Sequence, residues 1–363
     1  MIARIQSCAR RIQDLQDTDG AISWVDGGIW DAWNHGESTM GLAIAGSDNA
    51  AFRALDCLID RQDEDGGFTG DLGASVPMDE TNRHLVASAP DQARDTNFTG
   101  YVAVTTLRSL LALKAFDRLP RYWPMIERAM TFVLAHQTRH GDIVWRARET
   151  GEALDDIDSL RAGNASLYKA LECAIIMGEQ MGRPTAHWQI ARRRIGATLR
   201  ENDARFDRFG TDRRRYAMDW YYPVLTGVLT PDAGKARLFA RWNSFVEAGL
   251  GCRCVSDEPW VTAAETAELA LACLAAGKPA QARTLIEDIS SLAADDGGFW
   301  MGWQFAEGVI WPQERPSWTA GALIMAMDAL DQLSPGSTLL VENSLPECAS
   351  AHTAAELPAS RYD

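Results

Sequence analysis

The sequence predicts an all-α protein, an (α/α)6 toroid of six α-hairpins with an outer and an inner ring of helices. Three observations predict it. A turn built on Asp-Gly recurs after helical stretches; helices with one wet face alternate with helices of enclosed character; and the last helix is as apolar as those in the middle. The 363 residues and 39.9 kDa suffice for one large core.

The recurrent turns read Gln16-Asp-Thr-Asp-Gly-Ala-Ile, Gln62-Asp-Glu-Asp-Gly-Gly-Phe and Leu292-Ala-Ala-Asp-Asp-Gly-Gly-Phe-Trp, with a looser copy at Gln137-Thr-Arg-His-Gly-Asp-Ile-Val-Trp. Asp-Gly supplies the left-handed turn that stops a helix, and the apolar residue after it folds back over the last helical turn. The segments that feed these turns, 2–16, 51–62, 122–137 and 281–292, carry apolar residues at i, i+3, i+4 and i+7. Segments 187–200 and 235–249 share the periodicity without the glycine turn. Between these six lie six of different character, near 36–46, 97–116, 164–181, 219–229, 261–276 and 317–333. Of these, 98–116 and 320–330 are apolar nearly all round and rich in Ala, Gly, Thr and Met, and such helices are usually enclosed. An open solenoid would need a polar cap at each end. The apolar 317–333 favours closure, and no β-hairpin signal is expected to interrupt the helices. The toroid is expected to occupy 1–333, with 334–363 as a loose polar tail and the loop 69–94 as a lid over the ring mouth.

Composition narrows the function classes. Net charge is 35 − 50 = −15, which argues against a nucleic-acid partner. Of the four lysines none sits in a phosphate-binding P-loop, and nucleophile-elbow, dinucleotide and H-E-x-x-H motifs are absent. No stretch is long enough to span a membrane, and the first residues lack a signal-peptide core, so a cytoplasmic protein is expected. Seven cysteines without a framework fit a reducing compartment; Cys252-x-Cys254 has no partner at zinc-ligand spacing.

If the second helix of each hairpin is the inner one, the six inner helices start at one mouth. Their entrances combine aromatic residues with carboxylates or carboxamides. They hold Trp30, Asp31, Trp33, His35 and Glu37; then Asp95 and Asn97; Asn164 and Tyr168; Asp219, Trp220 and Tyr221; Trp260 and Glu265; and Trp311, Glu314, Arg315 and Trp318, with Arg253 and Trp300 close by. Asp, Asn and Ser cap helices. A cap, however, needs no tryptophan beside it, and nine of the 13 tryptophans lie at or near these entrances. A carboxylic acid among aromatics is kept protonated by desolvation. Asp219, followed by Trp220-Tyr221-Tyr222, is accordingly the expected general acid, with Asp31, Glu37 and Glu265 as candidate second carboxylates. The remaining named residues are candidate substrate contacts; His35 is placed either to relay a proton or as a satisfied structural histidine.

The Gln-x-x-Asp-Gly-Gly-Phe and Asp-Asp-Gly-Gly-Phe-Trp turns, in a chain of six α-hairpins, resemble the repeat of the squalene cyclase and prenyltransferase superfamily. That resemblance implies an α-toroid with a central cavity and an enzyme of isoprenoid chemistry, a cyclase (isomerase) or transferase acting through acid-initiated carbocations. No metal or organic cofactor is expected, save Mg²⁺ if the substrate is a diphosphate; a lipid substrate would imply peripheral membrane contact. The chain lacks the family's Asp-x-Asp-Asp acid motif and its zinc ligands. The entrances also fit a second reading, a carbohydrate-active enzyme with paired carboxylates and tryptophan platforms for a saccharide. A third is a non-catalytic toroid. A deep pocket walled by Phe, Leu and Met would favour an isoprenoid; carboxylates on the floor of a cleft would favour a glycan.

Overall fold

A computed structural model describes residues 1–73, 92–210, 212–295 and 297–342. Most of the expected lid therefore falls outside the described residues. Among the described residues twelve α-helices form six consecutive pairs: α1 (Ile2–Asp14) and α2 (Ala32–Ile44), α3 (Asp48–Arg61) and α4 (Thr96–Ala112), α5 (Leu119–Ala135) and α6 (Arg161–Gln180), α7 (Ala186–Glu201) and α8 (Ala217–Leu225), α9 (Pro231–Phe245) and α10 (Ala263–Ala275), α11 (Pro279–Asp288) and α12 (Ser317–Asp331). The even-numbered helices pack each against the next, and α12 packs back on α2, so the inner ring closes. The fold is an (α/α)6 toroid, as the alternation of wet and enclosed helices implies.

The seam at α12 and α2 depends on glycine. A Cβ on Gly321 would lie 2.7 Å from the Glu37 carbonyl oxygen, and one on Gly41 would lie 3.2 Å from Ile324 Cδ1. The outer ring closes too: Gly297, in the turn after α11, lies against Ser7 of α1.

The recurrent turn has a specific task. Gln16 Nε2 donates to Gly20 O at 3.2 Å and to Ala50 O at 3.0 Å. Gln62 does the same to Gly66 O and Met125 O, and Gln137 to Gly141 O and Ala191 O. Each glutamine thus closes its own turn and ties it to the following outer helix. The glycines stand at φ of +93°, +91° and +101°, with a neighbouring backbone carbonyl where a Cβ would be. In the fourth copy Ala293 takes the glutamine position, pairing with Phe299 as Gln16 pairs with Ile22.

One expectation is corrected. A five-stranded antiparallel sheet, β3 to β7 in order, grows from the loops around α10 and α12. Its strands are Val246–Glu247, Gly251–Arg253, Trp260–Thr262, Gly302–Gln304 and Val309–Ile310; β1 (Ile29–Trp30) pairs separately with β2 (Leu72–Gly73). Strands of two or three residues are too short to show a period of two in sequence.

At the opposite end of the ring, residues 334–342 cover the helix ends. Leu339 is buried, Arg108 Nη1 donates to Pro335 O at 3.0 Å, and Lys169 Nζ donates to Glu342 O at 2.6 Å. Arg108 also pairs with Asp328 deep inside, and Lys169 shares Glu172 with Arg192. The remainder of the expected tail, 343–363, lies outside the described residues.

Candidate active site

The starts of the inner helices meet at one mouth. There the beginnings of α2, α4, α6 and α8 enclose a cavity of about 290 Å³. Its walls include Trp33, Asp95, Asn97, Phe98, Trp145, Arg161, Asn164, Arg213, Tyr216 and Asp219. Five of the residues singled out in sequence are thus brought together: Trp33, Asp95, Asn97, Asn164 and Asp219.

Below the mouth the ring axis is filled. The Trp33 indole stacks on Tyr101, with 4.4 Å between centroids and 1° between planes, and meets Tyr222 at 5.5 Å. Its Nε1 donates to Glu37 Oε1 at 2.8 Å. Across the axis, Glu268 of α10 accepts from Tyr222 at 2.7 Å and from Tyr221. Helices from opposite sides of the ring therefore meet in one plug of aromatics and carboxyls. Carboxyls and tyrosines, rather than a deep Phe/Leu/Met pocket, occupy the axis among the described residues.

Burial governs the electrostatics. Desolvation, reinforced by the Glu268 charge, pushes Glu37 well above the usual carboxyl range. Desolvation raises Glu268 to about 7 against the pull of its two tyrosine donors. Like charges this close do not all ionise. At the mouth, Asp219 is 4% exposed and burial raises its pKa, while Arg161 pulls the other way from 3.4 Å. Asp219 Oδ1 has no hydrogen-bond partner among the described residues. Glu265, in the first turn of α10, remains partly exposed and accepts from Thr262 Oγ1.

The other sequence candidates are distributed as follows. Asp31 caps α2: its carboxylate takes the backbone N–H groups of Trp33 and Asn34, the Asn34 amide and Trp24 Nε1. Asp95 caps α4 through the Phe98 N–H. Asn164 is spent on the backbone of Ile143 and Leu160. His35 is structural: Ile22 N–H donates to Nδ1 and Nε2 donates to Ala54 O, so no relay passes through it. Burial lowers its pKa to about 4, so it is neutral. Trp30 packs on His35. Trp220 faces outward, stacked on Phe245, and Tyr168 turns towards Arg192 of α7; neither is a cavity wall. Arg253 is bound to Glu247 on the sheet, beside Phe305. Trp260 and Trp311 meet edge to face, Arg315 lies over Trp300, and Trp318 meets Trp24. Glu314 is buried ahead of α12.

Sequence reasoning missed Glu268, Tyr101, Arg161 and Arg213. For Glu268 a signal existed: an acid three residues after Glu265 in the apolar run Ala-Glu-Leu-Ala-Leu-Ala. Arg161 carried none, because an arginine before a helix ordinarily reads as solvent-facing. Among the described residues no group of three or more His, Cys, Asp or Glu is arranged to hold a metal ion, and no helix is long and apolar enough to cross a membrane.

No family model matches the chain. Solved structures with the same fold include a glycosidase in complex with glucose (TM-score 0.67, 15% identity, covering 92% of this chain and 98% of that one). Another is a GH63 mannosylglycerate hydrolase from Thermus thermophilus in complex with Tris and D-glycerate (TM-score 0.65, 13% identity, covering 88% and 99%). The architecture is thus the (α/α)6 toroid of glycosidases, with carboxylates and aromatics gathered at the inner-helix starts. The chain belongs to the family of the MMP endo-(1,4)-3-O-methyl-alpha-D-mannosidase of Mycolicibacterium hassiacum, to which it is 36% identical over 338 residues, 93% of this chain and 89% of the relative.

That membership makes it an enzyme of glycosidase type and overturns the expected kinship with squalene cyclases and prenyltransferases. The terpene, isomerase and transferase readings fall with it. The shared turn misled for a physical reason: a glutamine that staples a glycine turn to the next helix serves any ring of α-hairpins, whatever its chemistry.

Proposed function

We propose that this protein hydrolyses internal α-(1,4) linkages of a mannose-containing glycan at the mouth of the toroid. The observation that carries the reading is Asp219: a nearly buried carboxyl on the wall of an aromatic-lined cavity, raised by desolvation against the pull of Arg161 at 3.4 Å, with Oδ1 accepting no hydrogen bond among the described residues. Asp219 is the general acid, which protonates the glycosidic oxygen of the leaving sugar. Glu265, in the first turn of the adjacent inner helix and partly exposed, is the second carboxylate, acting as base or nucleophile; it is not a wall of the cavity, so this assignment requires the glycan to extend from the cavity towards the start of α10.

The substrate assignment rests on the named activity of the relative and on the cavity walls. Trp33, Phe98, Trp145 and Tyr216 offer apolar faces to the C–H faces of sugar rings. Asn97, Arg161 and Arg213 supply hydrogen bonds to hydroxyls. A saccharide is the small-molecule partner; the reaction needs only water besides. The test is steady-state kinetics on α-(1,4)-mannooligosaccharides with and without 3-O-methyl groups. Asp219→Asn and Glu265→Gln should each lower kcat by about 10²–10⁴-fold without unfolding the protein. Full activity of either variant removes that residue from the mechanism.

A further inference from the structure

The Trp33 indole is the cavity wall that also reaches the ring axis. One face is covered by the Tyr101 ring at 4.4 Å, Phe98 approaches its edge at 6.3 Å and Tyr222 tilts against it at 5.5 Å. These contacts are apolar and supply no directional hydrogen bond to the ring. The hydrogen bond from Nε1 to Glu37 Oε1 fixes its angle, and both groups belong to α2, one helical turn apart. Glu37 is 3% exposed, with its backbone carbonyl held against Gly321 of α12. It is not a wall of the cavity, and its buried carboxyl is turned to the Trp33 Nε1.

We propose that Glu37 is a positioning residue for glycan binding: through Nε1 it locks the Trp33 indole in the orientation that makes one wall of the sugar-binding cavity. This deepens the glycosidase reading and rests on it for the identity of the ligand. The groups that surround Glu37 explain why a carboxyl suits the task. Glu268 and Glu265 of α10, Asp31 of α2 and Tyr101 of α4 face it, and the strongest influences on it are desolvation and the Glu268 carboxylate. That company favours the uncharged form of Glu37, whose carboxyl oxygen accepts from the indole in the plug. Glutamine offers the same acceptor at the same reach; leucine fills the space and offers none.

The test separates positioning from catalysis. Selectively ¹⁵N-labelled tryptophan gives an indole Nε1–H resonance for Trp33, assigned through Trp33→Phe. In Glu37→Gln this proton should stay protected from solvent exchange, KM should be unchanged and kcat should stay within about threefold. In Glu37→Leu protection should be lost, and KM should rise by about tenfold or more with a smaller fall in kcat. Two results overturn the proposal. Loss of kcat by about a thousandfold in Glu37→Gln with the Trp33 resonance intact would make Glu37 a reacting group. An unaltered Trp33 resonance and unaltered KM in Glu37→Leu would show that the indole needs no such tether. If the wild-type chain cleaves no mannoside, the glycan assignment fails by itself, while the exchange measurement still decides whether Glu37 holds Trp33.

Discussion

Closure of the inner ring passes through one glycine, and a single methyl group tests it. Gly321 lies inside α12, where alanine is ordinarily favoured by about 1 kcal/mol. Here the new Cβ would sit 2.7 Å from Glu37 O, 2.8 Å from Glu37 C and 3.0 Å from Ser38 N. All three are backbone atoms of α2, which no rotamer change can move. The two helices must separate by several tenths of an ångström, and overpacking of this kind costs about 1–3 kcal/mol. After the propensity gain Gly321→Ala should therefore destabilise by up to about 2 kcal/mol, where helix propensity alone would make it stabilising. Gly163, inside α6, is the control: the nearest atom to its Cβ is 3.5 Å away, an ordinary contact. Gly163→Ala should be neutral or stabilising by up to about 1 kcal/mol. Urea denaturation of both variants against the parent gives the comparison. Should Gly321→Ala stabilise as much as Gly163→Ala, α12 does not press on α2 and the ring is not closed there.

Stability should also depend on pH with a sign set by the plug. Glu268 is raised from 4.5 to about 7 and Asp31 from 3.8 to about 6, so the folded state holds protons that the unfolded chain has released, and stability falls as pH rises through these windows. His35, lowered from 6.5 to about 4, acts oppositely, since the unfolded chain takes up a proton there first. With Glu37 raised as well, the carboxyls outweigh the histidine, and Tm should decline from about pH 5 to pH 7; Glu268→Gln should flatten the decline, and an unchanged slope in that variant would contradict the assignment. At the other end of the ring, Arg108→Met leaves Asp328 buried without its partner and frees the 334–342 segment, so it should cost about 3–5 kcal/mol in denaturant unfolding. Arg108→Met with Asp328→Leu should recover most of that, because the pair is then replaced by apolar side chains.

The helical rhythm was legible because burial imposes it. α2, α4, α6, α8, α10 and α12 each bury nearly every side chain, so their sequences lack the wet polar stripe that the outer helices keep, although single polar and charged residues such as Glu37, Lys169 and Glu268 are buried among them. That Trp33, Asp95, Asn97, Asn164 and Asp219 share one cavity was legible for a related reason: helix starts that converge on one mouth carry their polar and aromatic residues together. Side-chain direction was not legible. Trp220 is next to Asp219 in sequence, yet one residue of helix rotates it about 100° away, onto Phe245 of the outer ring. Glu268 escaped notice because its company, Tyr221, Tyr222 and Glu37, comes from other helices. The chemistry was misread where a turn that every such ring can use was taken for the mark of one family.

Incubation of the purified protein with an α-(1,4)-linked, 3-O-methylated mannan fragment, followed by mass spectrometry of the products, tests the central claim most directly. Shorter oligosaccharides from internal cleavage, made by the parent chain and absent with Asp219→Asn, are the predicted result. An intact glycan after prolonged incubation with folded parent protein, or the same fragments from Asp219→Asn at undiminished rate, would contradict it.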